Sequence, residues 1–176
     1  MKDTNPLIED LLQKFQSAIG ADYDKYRNHV YRVFLNCLLL DTNRDNEDKY
    51  AIAAVFHDIG IWTNHTFDYL APSIEQAKIY LIETNKQESF EEIKLMIDNH
   101  HKISSYKDKY PKTVETFRQA DWIDVSFGIM TFGADKQAIQ LNKQQFPTLG
   151  FHRFLIRATT KNFLKHPANP LPMFKR

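Results

Sequence analysis

Glycine is scarce in this chain, with five among 176 residues, too few for the many tight turns of an all-β fold. Cysteine is scarcer still. The single Cys37 excludes an intramolecular disulfide, and its place in the apolar run from Val33 to Leu40 reads as a buried structural thiol. No apolar stretch approaches the roughly 18 to 20 residues that span a bilayer. Charge of one sign is also missing. A formal net charge of +1 offers no global attraction to nucleic acid or anionic membrane, so neither is expected as a partner. The segment from Met1 to Pro6 has no signal-peptide core, and a cytoplasmic location is the expectation.

What the chain does have is ordinary globular composition, 43% hydrophobic and 26% charged, and helical punctuation throughout. Asn5-Pro6 places a cap and a first-turn proline before Leu7, Leu11, Leu12 and Phe15, which recur at helical spacing up to Gly20. A second helix is predicted from about Asp22 to Leu40, carrying Tyr26, Val30, Val33, Phe34, Cys37 and Leu38 inward. The polar run Asp41 to Asn46 reads as a loop. A third, alanine-rich helix should run from Glu47 to Asp58 and stop at Gly60. Ile61 to Ala71 reads as a loop across a site.

Ser73 with Gln76, and Ser89 with Glu92, have capping-box spacing and predict two more helix starts. Pro111 should open a helix through Phe117 and Asp121. Shorter helices are expected near Asp135 to Asn142 and from Phe151 to Leu164. With no repeat, low-complexity block or linker, the expectation is one all-α domain over residues 1–176, a helical bundle.

Chemistry concentrates at His57-Asp58, which closes the apolar helix beside Ala53, Ala54 and Val55. A buried carboxylate there is costly unless it is paired or bound to a metal. Asp121 poses the same problem between Phe117 and Ile123. His29 lies inside the second helix, in the segment His-Val-Tyr-Arg-Val. Any one of these is unremarkable alone, since a histidine on an apolar helix is more often packed core than ligand. Together they offer the mixed nitrogen and oxygen ligands that suit a divalent Lewis acid.

The order His29, His57-Asp58, Asp121, with an arginine three residues after the first histidine, resembles the HD superfamily of metal-dependent phosphohydrolases. The resemblance covers about residues 22–126, leaving 127–176 as a C-terminal helical extension. It implies an all-α fold in which His29, His57, Asp58 and Asp121 hold one divalent ion; Mn, Mg, Fe, Co and Ni would all be compatible. It also implies an activated water, with Asp58 placed to take its proton.

Asn99-His100-His101-Lys102 resembles the additional histidine motif of two-metal relatives. Those relatives also use a histidine in the helix after the His-Asp pair, where this chain reads Ala71-Pro72-Ser73-Ile74-Glu75. One ion is therefore expected, and His100 or His101 is expected to donate a proton or contact substrate. Arg32, Lys102 and Arg118 are the candidate phosphate contacts, and Trp62, with Phe67 and Tyr69, makes the adjoining loop aromatic. Many relatives follow the pair with Ile-Gly-Lys, whereas Ile61 stands here in place of the lysine.

The implied function is hydrolysis of a nucleotide or small phosphate ester. The alternatives are a hydratase or oxygenase acting on a small non-phosphorylated molecule, and a non-catalytic domain that senses a nucleotide or binds a protein. The segment from Phe151 is a candidate cover for the core or homodimer contact. His65, His152 and His166 are expected to stand outside the chemistry.

Overall fold

Helices form where the sequence punctuates them. Asn5 caps α1 (Pro6–Ile19), its side chain accepting from the Ile8 N–H at 3.2 Å with Pro6 in the first turn. The computed structural model describes residues 4–66, 68–153, 157 and 160, and no strand occurs among them. After α1 come α2 (Tyr23–Leu40), α3 (Glu47–Phe56), α4 (Gly60–Thr63), α5 (Leu70–Glu83), α6 (Phe90–Asn99), α7 (Pro111–Val125) and α8 (Lys136–Gln145). The protein is all-α.

α3 is the central element. Every residue from Tyr50 to Phe56 is buried, so beyond its first turn this helix has no solvated face, as expected of a segment that is apolar all round. Ala51, Ala53 and Ala54 keep it slim, and α1, α2, α5 and α6 pack about it. α2 lies along α7 and contributes Tyr26, Val30, Val33 and Cys37 to the same core as Val114, Phe117 and Ala120. Fully burying each large apolar side chain contributes about 1.5–3 kcal/mol. The Cys37 thiol is fully buried and pushed up by that burial, in keeping with a structural role. Because α3 ends in the middle of the bundle, His57-Asp58 is delivered to its interior.

Several local expectations are corrected. Gly60 does not stop a helix in a left-handed conformation; it begins the short α4 inside the segment expected to be loop. Its lack of a side chain serves close approach instead, since a Cβ there would stand 2.5 Å from the Tyr69 carbonyl oxygen. Ser73 is not a cap. α5 starts at Leu70, and the buried Ser73 hydroxyl accepts from the Gly60 N–H at 2.9 Å. Pro72 is tolerated because it falls in the first turn of that helix.

Ser89 makes no cap bond either. A 3-10 turn over Gln87–Ser89 runs directly into α6 and leaves Ser89 in helical geometry, whereas a capping side chain needs an extended residue. Glu92 accepts from the Thr113 hydroxyl and pairs with Lys49 at 2.8 Å instead. A 3-10 turn also interrupts the expected loop at Arg44–Asn46. Of the helix expected over Phe151 to Leu164, residues 151–153, 157 and 160 are helical; the remainder, with Phe67 and His166, lies outside the described residues.

The Gly60 contact can be checked directly. Alanine is the better helix former, so Gly60→Ala should stabilise the protein if only α4 matters. We expect the opposite, a loss of about 1–3 kcal/mol from overpacking against Tyr69 and Ser73, read as a lower urea midpoint at unchanged m-value.

Candidate metal centre

Three buried histidines are each anchored through Nδ1. His29 Nδ1 donates to Asp124 Oδ2 at 2.7 Å, His57 Nδ1 to the Ala54 carbonyl at 2.8 Å, and His100 Nδ1 to the Ile97 carbonyl at 2.6 Å. Carboxylate and carbonyl oxygens only accept, so these bonds place the Nδ1 proton and leave Nε2 pointing inward. The three Nε2 atoms converge with two carboxylates. His29 and His57 bring theirs to 2.9 Å from each other. Asp58 Oδ2 stands 3.7 Å from the first and 3.5 Å from the second. Asp121 Oδ1 stands 3.7 and 3.9 Å from the same two nitrogens. His100 Nε2 faces Asp58 Oδ1 at 3.5 Å.

This arrangement fits a cation. Asp58 Oδ1, Asp121 Oδ2 and His100 Nε2 are buried without a hydrogen-bond partner among the described residues, a costly state for polar atoms in a dry core. His29, His57 and Asp58 each present one ligand atom within a 4.8 Å span, and Asp58, His100 and His101 do so as a second group. All four residues expected to ligate an ion are thus gathered, together with both histidines of the additional motif.

The local electrostatics follow from burial. It drives the His57 imidazole down to about 3, so the ring is neutral and its Nε2 lone pair is available. Burial also pushes Asp121 up to about 6, with the like charges of Asp58 and Asp124 adding to the effect. Asp58 goes the other way: burial opposes ionisation, but His57, His100 and His29 hold the carboxyl well below its usual range. Burial pulls on His100 as well, yet Asp58 and Asp121 raise it overall. His101 is driven well below its usual value by burial and by neighbouring His100.

Asp124 was not singled out by its sequence position, and it proves central. It lies one turn after Asp121 on α7, buried, and it binds Arg32 through Nε at 2.5 Å and Nη2 at 2.9 Å while receiving His29 Nδ1. Burial would raise this carboxyl, but His29 and Arg32 hold it well below the usual range. The signal was a matched pair of spacings: Arg32 follows His29 by three residues on α2, and Asp124 follows Asp121 by three on the adjoining α7.

Arg32 is therefore corrected from substrate contact to structural partner. It is fully buried, and its Nη1 donates to the Phe146 carbonyl at 2.9 Å. Arg118 is likewise committed, to both carboxylate oxygens of Glu115 and to the Lys102 carbonyl. Trp62 stands behind the centre, tilted against Tyr26 at 4.6 Å with its Nε1 donating to Asp22 at 3.4 Å. Lys102 is half-buried at the end of the His100-His101 segment. His65 is exposed, and His152 Nε2 donates to the Asp124 carbonyl at 3.0 Å.

Two aromatic side chains from segments singled out in the sequence wall the centre. Phe151 stacks on His29 at 4.2 Å, and the Tyr69 hydroxyl reaches His101 Nε2 at 2.5 Å. Phe151 is buried, so the start of the C-terminal segment covers the His29 side of the core.

The family model of the HD domain matches residues 26–126. No curated protein and no solved structure gives a significant match.

Two substitutions test this electrostatic account in opposite directions. Asp121 titrates near 6 in the folded protein, above its unfolded value, so its ionisation costs stability as pH rises from about 4 through 6. In chelator-treated protein, Asp121→Asn should raise the unfolding free energy by on the order of 2 kcal/mol at pH 7. The gain should vanish below pH 4, as denaturant titrations at both pH values would show. Asp124→Asn leaves Arg32 with a neutral partner and unfixes the His29 ring. It should weaken divalent-ion affinity by about 10–100-fold, measured by calorimetry.

Proposed function

Because the chain belongs to the HD-domain family, we propose that it is a metal-dependent hydrolase that cleaves a phosphate ester, with a nucleotide or small phosphomonoester as substrate. The observation that carries this reading is the inward lock on the imidazoles: three Nδ1–H groups anchored outward and three Nε2 atoms aimed at Asp58 and Asp121. With each Nδ1–H committed outward, His100 Nε2 has no hydrogen-bond partner among the described residues and the other two face each other at 2.9 Å, an arrangement a divalent ion would satisfy.

His29, His57, Asp58 and Asp121 are the residues that would hold the ion, two neutral nitrogens and two carboxylates whose charges offset a dication. Such an ion supplies a Lewis acid for a phosphoryl oxygen and lowers the pKa of a water. The chain supplies the rest. Asp58 stands between the His29–His57 pair and His100, where it can accept a proton from the attacking water. His100, pushed up by Asp58 and Asp121, can carry a proton to the leaving oxygen as the ester P–O bond breaks. Tyr26, Phe151 and Tyr69 wall the centre off from bulk solvent, which strengthens each of these interactions.

A second reading has its own observation. Arg32 and Arg118 are both bound to internal carboxylates, which leaves Lys102 as the remaining cationic candidate for phosphate. A small non-phosphorylated substrate, hydrated or oxidised at the same centre, would need no such contacts.

We expect purified protein to hold about one divalent ion per chain, Mn, Mg, Fe, Co or Ni, and expect His57→Ala and Asp58→Ala each to lose it; elemental analysis decides. A panel of aryl phosphates and nucleotides should show metal-stimulated turnover that Asp58→Ala reduces by at least about 100-fold. Inertness across that panel, with conversion of a phosphate-free molecule, selects the second reading. Ligand binding without any turnover would point to a sensing domain instead.

A further inference from the structure

Tyr69 packs with Leu70 and Ile61, and its hydroxyl, which that packing does not require, faces the centre. It precedes α5, and it is held by a backbone latch. The Tyr69 carbonyl accepts from the Ser73 N–H at 2.9 Å, the Ser73 hydroxyl accepts from the Gly60 N–H at 2.9 Å, and Gly60 leaves no room for a Cβ beside that carbonyl. Gly60 is two residues from Asp58, so the latch ties Tyr69 to the ligand-bearing turn. The residue is 2% exposed and its hydroxyl lies 2.5 Å from His101 Nε2, in a hydrogen bond.

That bond falls on the second ligand group. Asp58, His100 and His101 each present one ligand atom within a 4.8 Å span. Asp58 Oδ1 and His100 Nε2 lie 3.5 Å apart and are buried without hydrogen-bond partners among the described residues. Two of the three groups are thus available to a cation, whereas Nε2 of the third holds a phenol. Whether that nitrogen accepts the phenol proton or donates its own, it has no lone pair left for a metal.

We propose that Tyr69 sets the ion number of this centre at one, by occupying His101 Nε2 and so withholding the ligand that a second ion beside Asp58 would require. The inference rests on the metal-centre reading above. It makes Tyr69 a positioning residue that determines metal stoichiometry, and it gives Gly60 and Ser73 the task of holding Tyr69 in place. It also accounts for a chain that carries adjacent histidines beside Asp58 without using both as ligands.

The test is a calorimetric titration of chelator-treated full-length protein with Zn²⁺, with bound metal counted after dialysis. Wild type should bind one ion, Tyr69→Phe two, and Tyr69→Phe with His101→Ala one again. One ion in both wild type and Tyr69→Phe overturns the inference and leaves the metal centre standing. Two ions in wild type overturns it as well. No ion in wild type sinks the metal centre and the inference with it. Should Tyr69→Phe fail to fold, nitrogen-15 histidine spectra of wild type replace it. His101 Nε2 should keep its hydrogen-bonded signal when Zn²⁺ is raised from one equivalent to excess, and a shift to a metal-bound signal overturns the proposal.

Discussion

Five ionisable side chains, His29, His57, His100, Asp58 and Asp121, share one interior from which water is excluded, each at most 3% exposed. That concentration would be untenable if the rings were free to turn. The constraint that makes it workable is the outward anchoring of each Nδ1–H, on Asp124 and on the carbonyls of Ala54 and Ile97. Two of the anchors are backbone groups three residues earlier, available because His57 and His100 sit where α3 and α6 end and carbonyls near a helix end lack intrahelical partners. His29 lies inside α2 and has no such carbonyl. It needs a side chain from another helix, and Asp124 provides it. Asp124 in turn must be neutralised where it is buried, which is the work of Arg32.

The fold class, the all-α core and the three segments that carry the candidate ligands were legible because they rest on local rules: helical periodicity, proline and asparagine punctuation, and the improbability of a buried unpaired carboxylate. What was not legible depends on which helices touch. Arg32 and Asp124 each sit three residues beyond a candidate ligand, and only the packing of α2 along α7 turns those spacings into a salt bridge. Read alone, Arg32 was a cation near a presumed phosphate. Ser73 was misread for a related reason: a serine three residues before glutamine looks like a cap until a distant N–H, that of Gly60, is found to hold its hydroxyl. Ser73 is the fourth residue of α5, past the position that a capping side chain occupies.

The segment matching the family model ends at residue 126, but the supports of the centre do not. The Phe146 carbonyl accepts from Arg32, the Pro147 carbonyl from Asn28, Phe151 stacks on His29, and His152 donates to the Asp124 carbonyl. All four contacts fall on α2 or on the Asp124 end of α7, the side where His29 depends on a side chain rather than on its own helix for orientation. The residues after the matched segment thus complete the hydrogen bonding of the Arg32–Asp124–His29 relay and exclude water from it. Exclusion matters because the relay's strength depends on low local dielectric.

Charge accounting at the centre narrows what it can recognise. Asp58 and Asp121 offset one dication, and Asp124 is offset by Arg32, so the neutral balance leaves His100 as the group whose proton adds positive charge. A single negative charge brought by a substrate would be matched there, with Lys102 beyond it. A second dication would change this balance by two units with no further carboxylate to meet it, since the group that could hold it adds only histidines to Asp58. Withholding His101 through Tyr69 keeps the centre near neutrality. The commitment of Arg32 and Arg118 to internal carboxylates acts in the same direction, since neither guanidinium is left to add positive charge.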